Sequence, residues 1–343
     1  MTAVPELREC MVESNVLSDA GISTLSAIFD PITIRNHLRH ALPNEYGTVE
    51  HLKFQILKHH PGSRCTFEMV VQTANGWGRV IGKVYAVDRP DVYRTMQEIQ
   101  RAGFGSQDEF SIPGPLAYLP GLRLLLQEKV QGPRAKQIFL DGNEQDRMKA
   151  AVRCARWLGK FHAVGPRSGE VLEPGGLLPS IAIWSRSIAK LGYPLADMAE
   201  RLSRRMEEDA AKATAMARCA GHGSFNYNQI IVAKDKTIVF DWDSYDVTDP
   251  CRDVARFLVA LERLAFKYLG SIHALDGIAE VFLKTYQTLS PFEVAGNLPW
   301  YRSLACLKLS FYEANRPVCT FRDGIEVLLS EGMRALENEE MRR

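Results

Sequence analysis

The chain has 343 residues, is 46% hydrophobic, and sets 42 Lys and Arg against 41 Asp and Glu. That is enough apolar material for a substantial core spread over two domains or lobes. The charge balance gives no reason to expect nucleic acid as a partner. No stretch reaches the roughly 18 consecutive apolar residues of a membrane span, and no basic-flanked apolar run opens the chain, so neither a membrane nor a secreted location is expected.

The seven cysteines (Cys10, Cys65, Cys154, Cys219, Cys251, Cys306, Cys319) are scattered and form no zinc-type spacing. They read as small buried apolar groups in a reducing cytoplasm. Residues 1 to about 45 read as helical, with Ser18 or Asp19 as a cap. The pattern then turns to alternation in "VEHLKFQILKHH", "RCTFEMVVQT" and "RVIGKVYAV", joined by turns at Pro61–Ser63 and Ala74–Gly78. Together these predict a three-stranded antiparallel meander.

"RPDVYRTMQEIQRAG" predicts a helix with Pro90 in its first turn, Val92, Met96 and Ile99 on one face, and Gly103 as its stop. "LRLLLQEKVQG" reads as a buried strand with a polar connector, after which the chain is mostly helical. In the helix "DRMKAAVRCARWLGKFHAVG", Met148, Ala151, Val152, Ala155, Leu158 and His162 recur at helical spacing. One short β pair interrupts the helices: "NQIIVA" and "TIVFDWD", with "KDK" as its turn. The fold class is therefore α+β in two lobes. Residues 1–128 form a lobe of helical extension plus antiparallel sheet, and residues 129–343 a helical lobe carrying the hairpin and an acceptor pocket. A ligand is expected where two lobes meet.

The hairpin is the part that carries chemistry. The polar loop "HGSFNYNQ" leads into its first strand, and Asp241 and Asp243 leave its second, so two sets of oxygen ligands lie close enough for a hard cation and a phosphate. An ordinary loop with acidic neighbours is the plainer alternative. Lys83 lies in an apolar strand, where a lysine on the inner face is costly without a counter-charge; Glu98 on the next helix is the natural one. A sheet-edge lysine reaching water is the plainer alternative here. The turn "KHHPGSR", with Ser63, offers backbone N–H groups to phosphate.

In this order the motifs resemble those of the aminoglycoside phosphotransferase and choline kinase-like family, a branch of the protein-kinase fold, from about His51 to Leu261. "HGSFNYNQIIV" resembles its catalytic loop, and "VFDWDSYDVTDPCRDVARFL" its metal-binding segment and the helix that follows. "LLLQEKVQG" resembles its hinge and "WLGKFHAVG" its Leu-x-x-Leu-His-like helix. The resemblance implies ATP or GTP and Mg²⁺ as cofactors and a small-molecule hydroxyl as phosphate acceptor. Lys83 would contact the α/β-phosphates, with Glu98 positioning it, and the backbone at Gln127, Glu128 and Val130 would hold the base. Asp241 and Gln229, the latter at the place of a metal-binding Asn, would hold Mg²⁺. Asp243 and His222 would support the site, while Asp249 and Asp253 would cap and brace the helix near Cys251.

One position departs from the pattern: Ser224 stands where the family carries its catalytic Asp. A serine hydroxyl is no base near neutral pH, and losing a general base costs roughly 10²–10⁴-fold in rate. Phosphoryl transfer rests mainly on positioning and electrostatics, so turnover can survive the loss. Two readings follow: a small-molecule kinase of reduced activity, or a nucleotide-binding pseudokinase that acts through a partner. Residues 129–343 carry 30 basic and 27 acidic residues, without the acidic bias a polycationic aminoglycoside would call for. Trp300, Tyr301 and Tyr312 are candidates to line the acceptor pocket or to sit in the core. The sequence does not speak to oligomeric state.

Overall fold

A computed structural model of the chain describes residues 19–41, 49–73, 76–210 and 217–340. Ser18, Cys10 and the first residues of the turn at Ala74–Gly78 lie outside them. The chain divides into two compact units, Met1–Gln131 and Gly132–Arg343.

The first unit opens with α1 (Leu25–Phe29) and α2 (Pro31–Ala41). Then come β1 (Val49–His60), β2 (Arg64–Thr73), β3 (Gly76–Tyr85), α3 (Pro90–Ile99), β4 (Phe110–Ser111), β5 (Pro115–Leu119) and β6 (Leu124–Glu128). The expected meander is present as β1-β2-β3, and β6 and β5 extend it to an antiparallel sheet of five strands in the order β1-β2-β3-β6-β5.

Strand alternation sorts this sheet into two faces. Phe67, Met69, Val80, Val84, Leu124 and Leu126 point to one of them and pack with Ile22, Leu25, Ile28, Ile34 and Leu38 of the N-terminal helices. Directly paired residues share a face, so the pairs Thr66–Lys83, Glu68–Ile81, Lys83–Leu125 and Ile81–Gln127 place Glu68, Lys83 and Gln127 together on the other face. In α3, Val92, Met96 and Ile99 are all buried, as their spacing predicts. The chain runs on in a wider turn over Gln100–Phe104, where Gly103 takes φ 95.

The second unit contains α4 (Ala135–Asp141), α5 (Glu144–Val164), α6 (Pro174–Ala189) and α7 (Leu195–Ala210). Then follow β6's successors β7 (Cys219–Gly221), β8 (Ile230–Val232), β9 (Thr237–Val239) and β10 (Asp246–Thr248). The unit closes with α8 (Cys251–Leu269), α9 (Asp276–Leu289), α10 (Leu298–Ala314) and α11 (Arg322–Glu340). The predicted hairpin is β8–β9, paired Ile230–Val239 to Val232–Thr237, and β10 pairs antiparallel with β7.

On α5 the apolar stripe is narrower than its spacing promised. Ala151, Ala155, Leu158 and His162 are buried, whereas Val152 is half-buried and Met148 is exposed. Trp157 of the same helix stacks on Phe161 and Phe225, with Trp242 tilted against it at 5.9 Å, so one aromatic cluster ties α5 to both hairpin-flanking segments. Trp300 and Tyr301 belong to the core, the Trp300 indole N–H donating to the Met206 carbonyl; Tyr312 is 47% exposed. Cys65, Cys154, Cys219, Cys251 and Cys306 are buried free thiols. Among the described residues no helix is long and apolar enough to cross a membrane.

Candidate active site

The loop between β7 and β8 brings Ser224, Gln229 and Asp241 into one hydrogen-bonded group. The Gln229 Nε2 donates to Ser224 Oγ at 3.0 Å and to Asp241 Oδ2 at 3.1 Å. Gln229 Oε1 accepts from Asn226 Nδ2 at 2.8 Å, and that nitrogen also donates to the Ser224 carbonyl at 2.7 Å. Asn226 Oδ1 accepts the Asn228 N–H, which fixes the short 3₁₀ turn at Tyr227–Gln229. Asp241 holds a left-handed backbone conformation, φ 78 and ψ 66, which turns its carboxylate off the end of β9 toward Gln229. A non-glycine residue in that region carries strain of about 1–3 kcal/mol, and such strain concentrates at functional sites.

One proton of His222 is placed by its neighbours. Its Nε2 lies 3.2 Å from the Phe240 carbonyl oxygen, which can only accept, so Nε2 bears a proton. The Ser224 hydroxyl lies 3.3 Å from Nδ1 and accepts from Gln229. Ser224 is a neutral link in this chain and supplies no carboxylate.

Asp253 corrects the expectation that it braces its own helix. Its buried carboxylate reaches across 31 residues to accept the His222 N–H at 2.6 Å, and it accepts the Gly223 N–H at 3.0 Å; His162 Nε2 lies at 3.5 Å. Burial opposes its charge, but the His162 ring and the Arg252 guanidinium hold its pKa far below the usual carboxylate range. Asp249 does cap locally: it accepts the Cys251 N–H at 2.7 Å and an Asn297 amide hydrogen at 2.8 Å. Arg252, buried beside the loop, makes a two-pronged pair with Asp246 at 2.5 Å for each contact.

Gly223 takes φ 76, and a Cβ there would lie 2.1 Å from the Ser244 carbonyl oxygen. Gly223→Ala is thus expected to lose about 1–3 kcal/mol through the backbone conformation alone, with more from displacing Ser244. A urea unfolding curve checks this, and an unchanged midpoint would contradict it.

In the first unit, Lys83 and Gln127 are each 5% exposed and share the sheet face opposite the N-terminal helices. Glu98 is half-buried on α3. Glu68, which sequence reasoning passed over, is 4% exposed on the same face as Lys83 and is paired with Lys129 at 2.8 Å and Arg79 at 3.2 Å. Its signal was the one that drew attention to Lys83: a charge alternating into an apolar strand. The Glu128 N–H donates to the Gly114 carbonyl, and its carboxylate accepts the Gly114 N–H, both at 2.8 Å.

The Pro61–Ser63 turn is also engaged. Asp19 Oδ2 accepts the Gly62 N–H at 2.8 Å and lies 2.8 Å from His59 Nε2, while the Ser63 N–H donates to the His60 carbonyl. The Gly62 N–H bond, and then His59, hold the Asp19 carboxyl below its ordinary pKa. The glycine amide that was expected to face phosphate thus faces a carboxylate from the N-terminal segment.

For Mg²⁺, the donor set can be tested on Gln229 and Asp241. They converge to 3.1 Å, which fits a shared cation once the Gln229 amide turns its oxygen toward it. Among the described residues no group of three or more His, Cys, Asp or Glu could hold a metal by itself, so phosphate or water oxygens would complete the shell. A groove of about 950 Å³ over Gln137, Asp141, Arg153 and Lys234 takes in none of the expected site residues.

Comparison with solved structures places this architecture. A choline/ethanolamine kinase family protein from Mesorhizobium loti aligns with a TM-score of 0.60 at 15% identity, covering 90% of this chain and 98% of that one. A choline kinase from Cryptosporidium parvum aligns at 0.58 and 10% identity, covering 90% and 96%. A thermostable mutant of an aminoglycoside phosphotransferase, in ternary complex with ADP and hygromycin B, aligns at 0.57 and 14% identity, covering 89% and 98%. A search of curated proteins returns no match. The fold is the two-lobed α+β architecture of the protein-kinase-like phosphotransferases. The chain belongs to the phosphotransferase enzyme family, whose model matches residues 69–293.

Proposed function

We propose that the protein is a nucleotide-dependent phosphotransferase that moves the γ-phosphate of ATP or GTP to a hydroxyl of a small molecule. The observation that carries this reading is the convergence of Ser224 and Gln229, from the loop before β8, with Asp241 at the end of β9 in a chain of this family. Lys83, with Glu98 positioning it, would contact the α/β-phosphates, and the Gln127–Val130 backbone would take the base. Asp241 and Gln229 would hold Mg²⁺, which when bound screens the phosphate charge. The chain's own residues then orient the acceptor. The Ser224 hydroxyl lies in hydrogen-bond reach of His222, and an acceptor hydroxyl at Ser224 meets a polar but uncharged partner.

Ser224 also supports a second reading, a pseudokinase that binds nucleotide and acts through a partner protein, because it removes the carboxylate and leaves the metal pair intact.

Both readings need Mg-nucleotide binding, and a ligand that binds only the native state raises its stability. Mg-ATP or Mg-GTP at millimolar concentration is expected to raise the melting temperature of the native chain. Lys83→Met and Asp241→Asn are expected to abolish most of that rise. No shift with either nucleotide would remove both readings.

A further inference from the structure

The Ser224 hydroxyl lacks a charge, yet it has the surroundings of a nucleophile. Its Oγ lies 3.3 Å from His222 Nδ1, and His222 Nε2 lies 3.2 Å from the Phe240 carbonyl oxygen. A nucleophile within reach of a base, with that base oriented by a third group, is the arrangement that activates serines. A neutral imidazole has one protonated nitrogen and one lone pair, so with the proton on Nε2 the lone pair of Nδ1 faces the serine.

The ring is held in place. His222 is fully buried, its ring 4.6 Å from that of Trp242 and 6.0 Å from that of Phe225. Its backbone N–H donates to Asp253 Oδ2 at 2.6 Å, and the charge of that carboxylate is felt at the ring. A proton taken from the serine thus makes an imidazolium with a counter-ion beside it.

The serine oxygen is fixed from its other side by Gln229. The Gln229 Nε2 donates to Ser224 Oγ at 3.0 Å and to Asp241 Oδ2 at 3.1 Å, so the two oxygens share one amide and lie within about 6 Å of each other. A hydroxyl oxygen has two lone pairs, one for the Gln229 amide and one left for attack. Ser224, Gln229 and Asp241 are only half-buried. A ligand can reach the hydroxyl while its base is shielded from water.

We propose that Ser224 is a phosphorylation site filled from the chain's own nucleotide: its Oγ attacks the γ-phosphorus of a bound nucleoside triphosphate and becomes phosphoserine. The bond that forms is Oγ–P, and the bond that breaks joins the γ-phosphorus to the β–γ bridging oxygen. The serine proton passes to His222 Nδ1. Nucleoside diphosphate leaves with the electron pair of the broken bond, and the ring later gives its proton to water. The event occurs once per chain, unlike repeated transfer to an outside acceptor. It adds a charge of about −1.5 to −2 beside Asp241 and Gln229.

Phosphorylation of Ser224 in this way rests on the phosphotransferase reading. The native chain, Ser224→Ala and His222→Gln are incubated with Mg-ATP or Mg-GTP labelled at the γ-phosphate, without acceptor, and the label is located by peptide mapping. The expected result is an acid-stable, alkali-labile phosphate on the native peptide that holds Ser224, gained at a rate independent of protein concentration. Ser224→Ala carries none there, and His222→Gln gains it about 10²-fold more slowly or worse, the share of a general base. A second arm needs no nucleotide: in ¹⁵N NMR near neutral pH, His222 Nδ1 is expected as an unprotonated nitrogen whose resonance moves in Ser224→Ala. Melting curves report whether each variant folds, and Ser224→Ala with the NMR arm suffices if His222→Gln does not.

Self-phosphorylation is overturned if Mg-nucleotide stabilises the native chain and yet leaves it unlabelled. It is equally overturned if the label maps elsewhere or is acid-labile as on a histidine, if a folded His222→Gln is labelled as fast as the native chain, or if Nδ1 bears a proton. Absence of any stabilisation by nucleotide sinks the phosphotransferase reading itself, and self-phosphorylation with it.

Discussion

Ser224→Asp is expected to raise turnover by roughly 10²–10⁴-fold, the range in which a general base contributes. The position is built to receive the carboxylate. Ser224 Oγ already lies 3.0 Å from the Gln229 amide nitrogen and 3.3 Å from His222 Nδ1, so an Asp side chain meets a donor and a ring that can reprotonate. Nucleotide affinity is expected to change far less than rate, because Lys83 and Asp241 are untouched. The check is steady-state release of nucleoside diphosphate by both proteins against the same acceptors. A native chain with slow, acceptor-dependent release and a fast variant fits the enzyme reading. A silent native chain with a fast variant favours the pseudokinase. If Ser224→Asp is no faster than an active native chain, a base at this position is not what limits the reaction.

The second large effect concerns the brace beneath that loop. Asp253→Asn is expected to destabilise the second unit by about 3–5 kcal/mol, the cost of breaking a buried charged pair by removing one member. For a unit of this size that is on the order of 10 °C in melting temperature. The variant loses the charge that His162 and Arg252 favour, and the one oxygen it keeps can accept from only one of the His222 and Gly223 N–H groups, leaving the other facing amide hydrogens.

The pH dependence follows from the depressed pKa. A carboxylate whose folded-state value lies below its unfolded value of about 3.9 contributes fully above that pH and loses its contribution as pH falls toward the folded value. The stability gap between native chain and variant is therefore expected to be constant near neutrality and to narrow below about pH 4. Urea unfolding across that range measures it; a gap that widens in acid would contradict the assignment.

The parts of the site that were legible in the sequence are those encoded locally. Strand alternation gave Lys83 its face, and the polar loop and the Asp-Trp-Asp segment flanked a hairpin short enough to predict their meeting. What the sequence concealed depends on partners far along the chain. Asp253 sits in the first turn of α8, where local rules predict a cap, yet its bonds go to a loop 31 residues away. Asp19 likewise reads as a helix cap, yet its carboxylate takes the N–H of Gly21 and that of Gly62, 43 residues on. Of the helical reading of residues 1 to about 45, the described residues hold helices at Leu25–Phe29 and Pro31–Ala41, the first beginning after Thr24 and not capped by Asp19. Their packing against one face of the sheet is a tertiary choice. That choice leaves Lys83, Gln127 and Glu68 together on the opposite face.

The most direct test of the central claim is transfer itself. The native chain is incubated with Mg-ATP or Mg-GTP labelled at the γ-phosphate and a panel of hydroxylated acceptors, both anionic and cationic, with Asp241→Asn as control. The expected result is a labelled phosphomonoester from the native chain that is lost in Asp241→Asn. Nucleotide binding without label transfer to any acceptor, by the native chain and by Ser224→Asp alike, would contradict it.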